Sequence, residues 1–205
     1  MSKEQIILIG GGGHCKSCID VIELENKFRI AGILDLPEKI GEKVSGYPII
    51  GNDKDIEELS KEFNNFFITI GQIKSPHLRI NIFNKLVDLK LTIPSIISPL
   101  AYVSKYSTIS IGSIISHFAM INSGAVIGEN CIINSRALIE HEVIIGSHTH
   151  ISTGAVINGQ TVIGDRVFIG SNSMISNNVN ITSNVIVAAG SRIFKSITKA
   201  GTYFE

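Results

Sequence analysis

His141 stands between two carboxylates, in the run Glu140-His141-Glu142. A neutral imidazole can take a proton near pH 7, and a carboxylate on its second ring nitrogen fixes the tautomer and raises basicity. The triplet therefore suits proton abstraction, with His141 as base and Glu142 as the group that orients it. His148 and His150 flank Thr149 a little further on. A second chemical signal lies near the start of the chain. Gly10-Gly11-Gly12-Gly13-His14 follows the apolar run Ile6–Ile9 and opens a helical stretch. Such a turn can present backbone N–H groups to an anion or polar ligand. The turn fails the dinucleotide fingerprint, because G-x-G-x-x-G counted from Gly10 needs glycine where Cys15 stands. Cys15-Lys16-Ser17-Cys18 has the spacing of a thioredoxin-like redox pair. The glycines already account for that loop, and core packing is the role expected of Cys18. Three cysteines in all make no disulfide framework. His77 and His117 read as surface histidines.

The elements that must hold these groups are written in a periodicity. From Ile109 to Ile193, every sixth residue is Ile, with Val187 the one substitution. Val103 and Ile97 extend the register backwards. Two residues before each sits a small or β-branched residue, such as Ala125, Cys131, Ala137, Thr149, Ala155 and Ser173. A fixed six-residue period predicts a parallel β-helix, with three six-residue faces closing a coil of eighteen. One aliphatic side chain per face points into the prism, each buried Ile stabilising by roughly 1.5–3 kcal/mol. Glycine follows the Ile at Gly128, Gly146, Gly164 and Gly170, where a turn with unusual φ/ψ is expected. No break in register leaves room for a long inserted loop. His141 falls at a corner of the prism. His141 and His150 lie nine residues apart, half a coil, so one subunit would hold them on different faces.

Composition shifts near Pro94, dividing the chain into residues 1–93 and 94–205. Before it, strands are expected at Ile6–Ile9, Ile30–Leu34 and Phe66–Ile70. Helices are expected at Lys16–Asn26, Asp53–Glu62 with Asn52 or Asp53 as cap, and Pro76–Leu89. This βαβαβα order predicts a short parallel, Rossmann-like sheet that binds ligands at the carboxyl ends of its strands. Gly10–His14, Asp35 and Gly71-Gln72 then share one crevice.

Lys+Arg and Asp+Glu both number 18, giving zero net charge over 205 residues. Nucleic acid is not an expected partner. No apolar run is long enough to span a membrane, and the N-terminus lacks a signal-peptide pattern. A cytoplasmic protein without membrane insertion is expected.

Taken together, Ile-Leu-Ile-Gly-Gly-Gly-Gly-His from Ile7, Ile33–Asp35, Tyr47–Gly51, Ile68–Gly71, Leu138–Glu142 and His150–Ala155 resemble bacterial sugar O/N-acyltransferases of the hexapeptide-repeat superfamily. These include sialic acid O-acetyltransferases and N-acetyltransferases of nucleotide-linked 4-amino-4,6-dideoxy sugars. The resemblance spans nearly the whole chain. It implies a left-handed parallel β-helix and a homotrimer with active sites between subunits. It implies acetyl-CoA as cosubstrate, with no tightly bound cofactor and no metal. It places His141 as catalytic base and Glu142 as its partner. Gly12, Gly13, His14, Asp35, Leu36 and Gly71 would bind the nucleotide sugar, and His150, Gly170, Ser171 and Ala189 would bind acetyl-CoA. The chain departs from the family at its end, reading Gly201-Thr202-Tyr203-Phe204-Glu205 where members commonly carry G-x-P-A. N-acetylation is the favoured reaction, with O-acetylation of a sialic-acid-type sugar as the alternative. A zinc lyase resembling gamma carbonic anhydrase would need three convergent histidines. A non-catalytic scaffold would use the same coils without chemistry.

Overall fold

The computed structural model describes residues 3–73 and 75–204. The N-terminal part builds a five-stranded sheet. Its elements are β1 (Glu4–Ile9), α1 (Gly13–Glu25), β2 (Phe28–Leu34), β3 (Lys43–Val44), β4 (Tyr47–Gly51), α2 (Ile56–Leu59), β5 (Asn65–Ile68) and α3 (His77–Asp88). The strand order is β3-β4-β2-β1-β5. All pairs are parallel except the hairpin β3–β4.

The run Ile6–Ile9 is wholly apolar because both faces of the sheet are covered. Ile6 and Leu8 pack with Cys15, Cys18, Ile19 and Ile22 of α1. Ile7 and Ile9 pack with Ile56 of α2 and Ile82, Phe83 and Leu86 of α3.

Three expectations are corrected here. The hairpin β3–β4 was not anticipated. Pro48 lies in this hairpin at the sheet's margin, opposite Lys43 of β3, where a missing N–H is tolerated. The helix expected over Asp53–Glu62 is a 3-10 turn, Asp53–Asp55, running into the four-residue α2. Its start is a capping box. Asn52 accepts from the Lys54 N–H at 3.0 Å, and the Asp55 carboxylate accepts from the Asn52 N–H at 2.8 Å. The expected strand Phe66–Ile70 ends two residues earlier, at Ile68.

From Ile96 onward the chain winds into a left-handed parallel β-helix. Its first face has seven strands, from Ile96–Ile97 through His150–Ile151 to Gly201–Tyr203. The second has six, from Tyr102–Val103 to Arg192–Ile193, and the third five, from Thr108–Ile109 to Asn180–Ile181. Partners are eighteen residues apart, as in Leu138↔Val156 and Ile139↔Ile157. The isoleucine ladder fills the prism, every rung from Ile115 to Ile193 being at most 2% exposed. At Ser113, Thr149, Thr161 and Ser173 the inward hydroxyl donates to a carbonyl of the next coil. Ser113 reaches the Gly128 oxygen at 2.8 Å, and Ser173 the Ala188 oxygen at 2.7 Å.

The glycine reading is also corrected. Gly128, Gly146, Gly164 and Gly170 do not adopt positive φ. A Cβ at Gly146 would sit 2.6 Å from the backbone of Gly164, and one at Gly170 would sit 2.4 Å from the Ala189 nitrogen. They are glycines because the next coil passes directly above them. The left-handed position lies three residues past each inward Ile, from residue 112 to 190 in steps of six. It is filled by Gly112, Gly124, Gly154 and Gly190, and otherwise by residues such as Asn130, Glu142 and His148.

Outward side chains of the first face, Ile96, Ile114 and Ile132, join the core formed with α1. The α/β unit is therefore docked on the coils through a shared apolar layer. Among the described residues, no helix is long and apolar enough to cross a membrane.

Candidate active site

The carboxyl ends of β1, β2 and β5 open onto a cavity of about 770 Å³. Gly12, Gly13, His14, Asp35, Leu36 and Gly71 all line it. Gly10 has φ +105°, and a Cβ there would strike Ile70. Gly12 precedes α1 as its cap residue without any side-chain cap, so the first N–H groups of the helix remain available to a ligand. No atom lies within 4 Å of a Cβ built at Gly12 or Gly13, so the turn faces open space. Asp35 is committed to the chain itself. Its carboxylate accepts from the Gly11 N–H at 3.2 Å, the Leu36 N–H at 2.9 Å and Lys39 Nζ at 3.0 Å.

The inner wall of the cavity meets the coils at a polar seam. Burial, with the charge of Arg79 and the ring of His150 adding to it, pulls His14 down to about 3. His150, 6% exposed on the outer side of the first face, is held down to about 4, chiefly by burial and also by Arg79. Its Nδ1 lies against the carbonyl of Gln72, and its ring meets Phe168 edge-on with centroids 5.2 Å apart. Gln72 also donates from Nε2 to the His148 carbonyl at 2.8 Å. Nε2 of His14 and Nε2 of His150 are buried without a partner.

His141 sits elsewhere, at the corner between the second and third faces. Its side chain is 54% exposed. Nδ1 is 3.7 Å from Oε2 of Glu142, longer than a hydrogen bond. Glu142 occupies the left-handed corner position, φ 58°, and its Oε2 accepts from Gln160 Nε2 at 2.8 Å. Glu140, on the other side, accepts from Asn122 Nδ2 at 2.9 Å and from the His141 N–H at 3.3 Å. The imidazole lies close against Gly159 of the next coil. A Cβ at Gly159 would come within 2.5 Å of His141 Nε2.

Gly170, Ser171 and Ala189 cluster at the third location, where the first face turns into the second. The Gly170 N–H donates to the Val187 carbonyl at 2.8 Å, and the Ser171 and Ser152 hydroxyls are 2.9 Å apart. Thus the substrate and coenzyme expectations fall on the first face and its flank, and His141 falls on the opposite corner. In one chain His141, His148 and His150 do not converge. Among the described residues, no group of three His, Cys, Asp or Glu side chains is arranged to hold a metal.

Several residues of these sites have no plain mark in the sequence. Gly159 follows from His141 by the eighteen-residue coil. Gln72, Asn130 and Arg79 had no signal as partners of the histidines. His117 is corrected. It is no free surface side chain, since Nε2 meets Asp20 of α1 at 2.8 Å and Nδ1 meets Ser98 Oγ at 2.6 Å, tying the two domains together. Cys15 and Cys18 are buried with thiols pushed up by burial, which is packing rather than redox character.

A parallel α/β unit docked on a left-handed β-helix, with a His–Glu pair on a coil corner, defines the class of hexapeptide-repeat acyltransferases. Residues 5–86 match the family model described as the PglD N-terminal domain, and residues 124–159 and 160–195 match the bacterial transferase hexapeptide model. The chain carries a PglD-type N-terminal domain followed by bacterial transferase hexapeptide repeats, the make-up of an acyltransferase.

The structure resembles the acetyltransferase domain of PglB from Neisseria gonorrhoeae FA1090 in complex with acetyl coenzyme A. The two are 27% identical, with 98% of this chain and 96% of that chain covered and a TM-score of 0.91. It shares its fold with a variant of perosamine N-acetyltransferase from Caulobacter crescentus in complex with CoA and GDP-perosamine, at 24% identity, 100% and 95% coverage and TM-score 0.92. It also shares its fold with WeeI from Acinetobacter baumannii AYE, at 20% identity, 99% and 97% coverage and TM-score 0.85. No curated protein matches the sequence.

Proposed function

We propose that this chain transfers the acetyl group of acetyl-CoA to the amine of a nucleotide-linked 4-amino-4,6-dideoxy sugar. One observation carries the reading: the likeness, over nearly the full length of both chains, to an acetyltransferase domain that binds acetyl coenzyme A. The 770 Å³ crevice, with its uncapped helix start, suits the phosphates and sugar of a nucleotide sugar.

In this reading His141 takes a proton from the sugar amine as its nitrogen attacks the thioester carbon. The tetrahedral intermediate is stabilised by backbone N–H groups of the coils and collapses with departure of the CoA thiol. Glu142 orients His141. Because the crevice and His150 lie on the far side of the coil from His141, each site needs two copies of the chain. A homotrimer supplies this arrangement, with His141 of one subunit facing His150 of the next. Val126, Ile144 and Val162 form an exposed apolar stripe, 37–46% accessible, along the outer side of the third face. Such a stripe on an otherwise polar surface suits a self-association contact. The cytoplasm, where acetyl-CoA is made, is the proposed location.

The test is release of free thiol from acetyl-CoA against UDP-, GDP- and dTDP-linked amino sugars and CMP-linked sialic acids. Release with an amino sugar supports the proposal. Release with sialic acid alone makes the enzyme an O-acetyltransferase. No release with any member of the panel overturns the reading.

A further inference from the structure

Arg79 is 1% exposed and, among the described residues, has no carboxylate partner. It lies on α3, yet its guanidinium bridges the two domains. Nη1 donates to the carbonyls of Ile68 at 3.0 Å and Ile70 at 2.6 Å, at the end of β5. Nη2 donates to Asn130 of the coil, at Oδ1 (2.6 Å) and the backbone carbonyl (3.3 Å). A buried guanidinium satisfied mainly by neutral acceptors is costly, and a fold keeps one where its fixed fork of donors sets geometry.

The consequence runs through Asn130. Because Oδ1 receives Arg79, the amide can only point Nδ2 towards His148, whose Nδ1 is 3.1 Å away. Nδ1 of His148 must then be the bare nitrogen, with the proton on Nε2. The opposite holds two residues on. The Gln72 carbonyl can only accept, so His150 carries its proton on Nδ1 and leaves Nε2 bare. Arg79 locates that carbonyl, since it grips Ile70 two residues earlier.

We propose that Arg79 is a positioning residue: by gripping Ile70 and Asn130 together, it seats the Gly71-Gln72 loop on the coil and holds His148 and His150 in opposite tautomers. The bare Nε2 of His150 is thereby kept as an acceptor beside His14, at the meeting of crevice and coil. The inference rests on the proposed function only in treating His150 as part of the transferase site.

The test is nitrogen NMR of the histidine rings in the ¹⁵N-labelled full chain, run on wild type, Arg79→Lys and Asn130→Gly. Lysine keeps the charge without the fork. Glycine keeps the left-handed corner, φ 53°, without the amide. Thermal melts establish that each variant is folded. In wild type, His148 is expected to carry its proton on Nε2 and His150 on Nδ1. In both variants that fixed pattern is lost, and kcat/KM in thiol release falls roughly tenfold to a hundredfold, the toll of misplacing a site group. Unchanged tautomers in folded variants overturn the proposal. So do altered tautomers with unaltered kinetics, or a wild-type pattern other than the one stated. Wild-type protein that releases no thiol would count against the proposed function, while the tautomer readout still decides for or against the Arg79 grip.

Discussion

His141 and His150 differ by nine residues and by the thickness of the coil, and their surroundings differ in every physical respect. His141 is half exposed, lies over a glycine and has a carboxylate within 3.7 Å. His150 is 6% exposed, pressed on Phe168, bonded to a backbone carbonyl and overlooked by a guanidinium. The first setting leaves an imidazole open to a substrate arriving from solvent. The second keeps an imidazole neutral and points one bare nitrogen in a fixed direction. Under the proposed function the same side chain would serve as base in one place and as fixed acceptor in the other, with the two roles on opposite sides of one prism.

The sharpest break in this comparison is His141→Ala. Losing a general base costs about 10²–10⁴-fold in turnover, read as the rate of thiol release. Near wild-type turnover would strip His141 of its role. Next is Ile151→Ala, which removes the rung directly after His150. Ile151 is fully buried, and such truncations cost about 2–5 kcal/mol. A large fall in melting temperature is expected, whereas His141→Ala should leave it almost unchanged.

Gly159→Ala is milder. Its Cβ would meet the His141 ring at 2.5 Å, and φ at this position is not positive. The ring must move while the coil stays, so turnover should fall about tenfold at unaltered stability.

The most gradual effect belongs to the seam. His14 and His150 titrate at about 3 and about 4 in the folded chain, below the ordinary 6.5. As pH falls through 6.5, the unfolded chain binds these protons first. The stability contribution, full above 6.5, is lost progressively towards pH 4, at ~1 kcal/mol per pH unit for each histidine. Melting temperatures between pH 7 and 5 should fall along this slope, and less steeply in His150→Gln.

Much of the fold was legible in the residues. The six-residue period of Ile located every inward rung, because one side chain per face must fill a prism of fixed width. The apolar run Ile6–Ile9 marked a sheet covered on both sides. The β3–β4 hairpin was hidden because β3 is only two residues long and Pro48 weakens the strand pattern of β4. The glycines after the ladder were visible, but their reason was not. A collision with the coil above is set by residues eighteen positions away. Gly10–His14, Asp35 and Gly71-Gln72 could be grouped from the strand ends alone, while Leu36 came only with the family resemblance. Arg79 and Asn130 could not, since nothing local distinguishes an arginine on an amphipathic helix from a solvated one.

The sequence by itself determined the ladder, the two-part division and the His141–Glu142 pair, since each is local or strictly periodic. Periodic burial and adjacent charges need no knowledge of distant chain. Tertiary structure alone decided which surface of the coil receives the α/β unit. That docking, through α1 onto Ile96, Ile114 and Ile132, buries His150, carries Arg79 to Asn130 and leaves His141 in the open. It depends on contacts between residues tens of positions apart, whose shape and hydrogen-bond geometry exist only once both domains are folded.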